Sequence, residues 1–119
     1  MPIRITQLLG YVKHIESDEI IGLLRQWVEG RCLGEIDIAN TATEKRTRWA
    51  SQIREALDHL HQMGVVWGDG KPRNIIGDDD VWLIDFGGSY TEGWVHRELA
   101  GTVDGDEQVF RRILAYLKV

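Results

Sequence analysis

Residues 67–74 read Trp-Gly-Asp-Gly-Lys-Pro-Arg-Asn, and eleven residues after Asn74 comes Asp85-Phe86-Gly87. Between them lie two short apolar runs, Ile75-Ile76 and Val81-Trp82-Leu83-Ile84, on either side of Gly77-Asp78-Asp79-Asp80. Apolar residues around a polar, Gly-containing tip predict a small hairpin. Two polar clusters, Asp69/Lys71/Asn74 and Asp85, therefore flank one hairpin. Either cluster alone reads equally well as an ordinary turn, the first fixed by Pro72. Both together, in this order and at this distance, are a far narrower constraint on the fold.

Asp, Lys at +2, Pro at +3 and Asn at +5, then a hairpin and Asp-Phe-Gly, resemble the catalytic and metal-binding loops of the protein-kinase-like superfamily. The resemblance is specific between Val65 and Gly88 and looser over most of the remaining chain. It is also similar to short fungal kinase-like sequences that read Trp-Gly-Asp at this point.

The resemblance implies roles. Phosphoryl transfer relies on positioning and charge neutralisation rather than covalent chemistry. Asp69 would orient an acceptor hydroxyl and take its proton. Lys71 would offset charge on the transferring group. Mg2+ prefers oxygen ligands, usually with one or two carboxylates, and Asn74 and Asp85 would supply them. Gln26, Trp27 and Val28 would be hinge residues offering backbone groups to the adenine of ATP. Arg25 would stand just before that hinge. Asp104 or Asp106 would brace the catalytic loop from below.

Family features are also missing. No Gly-rich loop precedes the hinge, and neither the lysine of the third strand nor the Ala-Pro-Glu segment is present. The family's His-Arg before the catalytic Asp is Trp67-Gly68 here, which removes the usual clamp on a phosphorylated activation loop.

The implied fold is α+β: a truncated kinase-like fold, mostly C-lobe helices, with two N-terminal strands and the small hairpin. Residues 1–119 are expected to form a single domain, with 1–30 as remnant smaller-lobe strands and hinge and 31–119 as the C-lobe core. The polar Glu16–Glu19 break separates two apolar segments, Ile3–Ile15 and Ile20–Val28, and predicts antiparallel strands. Leu33 to Ala39 suggests a short helix. Trp49, Ile53, Ala56, Leu57 and Leu60 recur at helical spacing and predict a helix over Thr43–Met63, capped by Thr41 or Thr43 and closed by Gly64. Val109, Phe110, Ile113, Leu114 and Leu117 share one face of a helix over Asp106–Leu117. His59 and His61, two apart, do not share a face as metal ligands would.

Composition bounds the partners. The chain has 119 residues, 43% hydrophobic and 28% charged, with a net charge of −5. That balance is ordinary for a globular domain. Scattered basic residues speak against nucleic acid and anionic membranes as partners. The single Cys32 cannot form an internal disulfide and reads as a small core residue. A cytoplasmic location is the expectation. An unpaired edge of the N-terminal strands invites a homodimer or a protein partner.

Three functions fit these residues. The first is an ATP–Mg2+ phosphotransferase acting on a protein or small-molecule hydroxyl. The second is a non-catalytic kinase-like binding module. The third is acid–base chemistry on a small organic substrate, in a polar cleft walled by Trp67, Trp27 and Trp82.

Overall fold

The computed structural model describes residue 5 and residues 8–13, 15–25, 28–77, 79–84 and 90–119. Asp85-Phe86-Gly87, Gln26, Trp27, His14 and Asp78 lie outside the described residues. For residues 8–12 and 21–25, which include Arg25, only the backbone is described.

Strands β1 (Leu8–Lys13) and β2 (Ile20–Arg25) pair antiparallel across a turn at residues 15–17. The register slips between Leu8 and Gly10 and again between Val12 and Lys13. Each slip is a bulge-like irregularity that adds twist. The predicted hairpin forms from β3 (Ile75–Ile76) and β4 (Trp82–Leu83), with Ile75 opposite Leu83 and Ile76 opposite Trp82. Single bridges extend this small sheet on both sides, from Ile5 to Leu83 and from Cys32 to Ile76.

Helix α1 (Thr43–Gln62) buries Trp49, Ile53, Ala56, Leu57 and Leu60, the residues whose spacing predicted it. Its start differs from expectation. The N-cap residue is Ala42, with no side-chain cap. Thr41 instead donates its hydroxyl to the Asp37 carbonyl, and the Thr43 hydroxyl accepts from Arg46. At the other end, the Gly64 N–H bonds the His61 carbonyl and the Val65 N–H bonds the Leu60 carbonyl. Gly64 holds a φ of +76°, the left-handed turn that closes a helix and favours glycine.

The segment before α1 forms two short 3-10 turns, Leu33–Glu35 and Ile38–Asn40, rather than one helix. Asn40 donates its side-chain amide to the Asp37 carboxylate, and Thr41 bonds the Asp37 backbone. Such local side-chain bonds compete with a continuing helix.

Helix α2 (Val103–Leu117) runs antiparallel to α1. Residues that meet are Arg46 with Leu117, Arg54 with Glu107 and His61 with Asp106. Its start is capped by Thr102, whose hydroxyl accepts from the Gly105 N–H. Val109, Ile113 and Leu117 are fully buried and join the α1 face, Trp67, Ile75 and Leu83 in one core. Among the described residues, no helix is long and apolar enough to cross a membrane.

Candidate active site: the Asp69 loop

The loop between α1 and β3 rests on Asp106, at the start of α2. Asp106 is 1% exposed. Its Oδ2 accepts from the Trp67 N–H at 2.7 Å and lies 2.8 Å from His61 Nε2. Its Oδ1 accepts from the Gly68 N–H at 3.0 Å. A buried carboxylate is tolerated only when its lone pairs are satisfied, and here the two N–H groups just ahead of Asp69 satisfy them. Of the two residues expected to brace the loop, Asp106 does so, while Asp104 is exposed.

Trp67 is fully buried, and its Nε1 donates to the Ile84 carbonyl at 2.8 Å. It is therefore part of the core and not a cleft wall. Gly70 explains why so large a ring fits there. A Cβ at Gly70 would stand 2.6 Å from both Trp67 Cε3 and Val109 Cγ1. The loop backbone lies directly on the ring. Trp82 is half-buried.

Above this floor the polar groups converge. Thr91 Oγ1 donates to Asp69 Oδ1 at 2.7 Å and accepts from Lys71 Nζ at 2.7 Å. Lys71 Nζ also lies 3.6 Å from Asp69 Oδ2. Asn74, 4% exposed, donates its Nδ2 to the Asp69 carbonyl at 2.7 Å, and its own N–H bonds the Lys71 carbonyl. The Asn74 carbonyl in turn accepts from the Ile84 N–H at 3.0 Å. Pro72 opens the 3-10 turn Pro72–Asn74, where a fixed φ suits a first helical residue. Asp69, Lys71 and Asn74 thus form one bonded unit.

Thr91 and His61 were not singled out in the sequence as site residues. Thr91 reaches Asp69 across 22 positions and His61 reaches Asp106 across 45. Neither lies in a local motif that marks it.

The Asn74 side chain suits a hard cation. Its amide nitrogen is committed to the Asp69 carbonyl, and its carboxamide oxygen is the type of ligand Mg2+ takes. Asp85, the second expected ligand, lies outside the described residues. Among the described residues, no cluster of three His, Cys, Asp or Glu forms a metal site. Asp79 and Asp80 at the hairpin tip are exposed and bound to α1 instead. Lys45 lies 3.5 Å from Asp79, and Gln52 donates to Asp80 at 2.7 Å. Of the three hinge residues, Val28 is half-buried and the other two are outside the described residues. Cys32 is half-buried, and its thiol donates to Glu35.

Residues 4–102 match the family model for the protein kinase domain. The chain belongs to the protein kinase domain family. It is 38% identical over 86 residues to the serine/threonine-protein kinase PKH1 of Saccharomyces cerevisiae, covering 70% of this chain and 11% of that protein. It is 33% identical over 91 residues to PKH2 of Candida albicans, covering 71% of this chain and 10% of that protein. The chain thus spans about a tenth of the length of these relatives. Among solved structures, Rad53 residues 1–466 in complex with AMP-PNP superimposes with a TM-score of 0.78 at 24% identity, over 98% of this chain and 34% of that one. The α+β architecture with two strands, a hairpin and C-lobe helices is therefore a kinase-like fold.

Proposed function

We propose that the chain carries a phosphotransferase site that uses ATP and Mg2+ on a hydroxyl of a protein or small molecule. One observation carries this reading: Asp69 and Lys71 meet on a single hydroxyl, that of Thr91, which donates to the carboxylate and accepts from the ammonium. An acceptor hydroxyl held the same way would give its proton to Asp69 as its oxygen attacks phosphorus. Lys71 would offset the negative charge that develops on the transferring group. Asn74 ties the Asp69 backbone in place, and Asp106 holds the two N–H groups ahead of it, so the base arrives pre-positioned. A divalent ion held by Asn74 and Asp85 would neutralise phosphate charge. The serine/threonine kinase relatives and the AMP-PNP complex of the structural neighbour support ATP as the donor.

Nucleotide binding tests it directly. Calorimetry with a non-hydrolysable ATP analogue should show binding that Mg2+ strengthens in the wild type and not in Asp85→Ala. Absence of nucleotide binding, with and without Mg2+, would overturn the reading and leave acid–base chemistry or a binding role.

A further inference from the structure

Among the residues whose burial is described, six large apolar side chains stand exposed. Three of them, Met63, Val65 and Val103, lie where the end of α1 meets the start of α2. They are 55%, 40% and 46% exposed. The others are Ile15 and Ile20 beside the β1–β2 turn, and Val119. A single exposed apolar residue is ordinary on a folded surface, whereas a cluster rimmed by polar groups marks a contact site.

The junction is held by Asp106. His61 Nε2 lies 2.8 Å from its Oδ2, and the same oxygen accepts from the Trp67 N–H at 2.7 Å. Met63 follows His61 by two positions, Val65 precedes Trp67 by two, and Val103 precedes Asp106 by three. Residues three apart on a helix are surface neighbours, so Val103 comes up beside the end of α1. The turn that carries Met63 and Val65 is fixed too: Met63 N–H bonds the His59 carbonyl, Gly64 N–H that of His61, and Val65 N–H that of Leu60. The surface is open. Among the described residues, a Cβ at Gly64 or at Gly101, the glycines on either side, would meet nothing within 4 Å.

The surround is negative. Residues 54–68 and 103–107 build the junction. They carry Glu55, Asp58, Asp104, Asp106 and Glu107 against Arg54, with two histidines and no lysine. Arg54 is engaged by Asp58 and Glu107. Asp104 is exposed in the first turn of α2, next to Val103, and pairs with no other described residue.

We propose that Met63, Val65 and Val103 form a docking surface for a partner protein's segment that carries an apolar side chain flanked by Lys or Arg. The apolar side chain would cover the three exposed ones, and removing that area from water drives the contact. The flanking cations would meet Asp104 and the surplus acids, while an anionic segment would be repelled. The same charge disfavours a second copy. A two-fold contact through this patch would set each acidic rim against its own like. The surface stands apart from the Asp69 site and needs no phosphotransfer.

The test uses three fluorescent peptides of equal length, in which leucine alternates with lysine, leucine with glutamate, and serine with lysine. Anisotropy reads their binding to the full chain. The wild type is expected to bind the leucine–lysine peptide about tenfold more tightly than either control, the ratio that burial of one further apolar side chain supplies. Val65→Ser and Val103→Ser should each weaken that peptide and leave the serine–lysine peptide unchanged. Asp104→Asn should narrow the preference for lysine over glutamate. Both valines are exposed, so thermal midpoints should stay at the wild-type value. Amide exchange in the complex should show new protection over residues 62–66 and 101–105. Equal binding of the leucine–lysine and leucine–glutamate peptides overturns the proposal. So does a preference that survives both valine substitutions, or one that is lost in Ile15→Ser instead, which would move the contact to the β1–β2 turn. Protection of residues 62–66 that rises with the concentration of the chain alone also overturns it, and would assign the patch to a second copy.

Discussion

At Gly70 a single methyl group would collide with two side chains, Trp67 and Val109, each 2.6 Å from where it would sit. Neither neighbour has much room to give, because both are fully buried. Gly70→Ala should therefore cost about 1–3 kcal/mol, the usual penalty of overpacking a filled core. Urea unfolding of the two chains checks this, and an unchanged midpoint would mean that the Trp67 ring can shift without cost. Asp69→Asn is the complementary case. It keeps the side-chain shape and can still face the Thr91 hydroxyl, but it removes the base. If the site transfers phosphate, stability should hold while turnover falls about a hundredfold or more, and full turnover in the folded variant would remove Asp69 from the chemistry. Asp69, Lys71 and Asn74 were legible in the sequence because their spacing is local: a turn of six residues brings them together. Gly70 and Thr91 were not. The role of each is set by atoms that arrive from elsewhere in the chain, and a glycine within a polar turn has many explanations until a ring is found beneath it.

Helices α1 and α2 were legible as elements for a similar reason, since burial of one face forces the 3.6-residue period into the sequence. Their junction was not. Arg54 reaches Glu107 with both terminal nitrogens at 2.6 Å and lies 4.7 Å from the Phe110 ring centroid. No periodicity announces such a pair across 53 positions. The hydrogen bond from Arg54 is the largest effect holding the Glu107 carboxyl below the ordinary glutamate range, partial burial opposes it, and direct charge attraction adds to it. A carboxyl lowered in the folded state contributes stability that is present above the unfolded glutamate value and is lost as pH falls through the folded one. The thermal midpoint of the wild type should accordingly exceed that of Glu107→Gln near neutral pH. The gap should narrow once the pH drops below the ordinary glutamate range. A gap independent of pH would show that Glu107 acts through packing. Asp106, one residue earlier, acts through the groups whose hydrogen bonds it accepts. Asp106→Ala leaves the Trp67 and Gly68 N–H groups and His61 without their acceptor, and each unmet buried donor costs about 1–3 kcal/mol.

At the scale of the molecule, the described strands fall into two separate two-stranded sheets. Among the residues whose burial is described, the buried apolar ones belong to the two 3-10 turns before α1, to α1, α2, the hairpin and the segments that join them, with Ile5 beside Leu83. Strands β1 and β2 pair with each other, and no other described strand pairs with either. An isolated two-stranded sheet is marginal in water, and each outer edge presents backbone donors and acceptors that must be met by water or by another chain. The sequence showed these two strands and their polar turn, because alternation of apolar runs and breaks is local. It did not show what lies along their edges, because that depends on contacts with no local signature. We expect the edge to recruit a second copy of this chain or another protein. Light scattering at micromolar concentration should give a mass above that of one chain, and a substitution that places proline within β1 should return it to the monomer, since proline cannot donate to an added strand. Amide exchange separates the alternatives. If association covers the edge, protection over residues 8–25 should rise with concentration while that of α1 and α2 stays constant. A monodisperse monomer whose residues 8–25 are already protected when dilute would mean that the strand pair is completed within the chain, and would rule out the assembly.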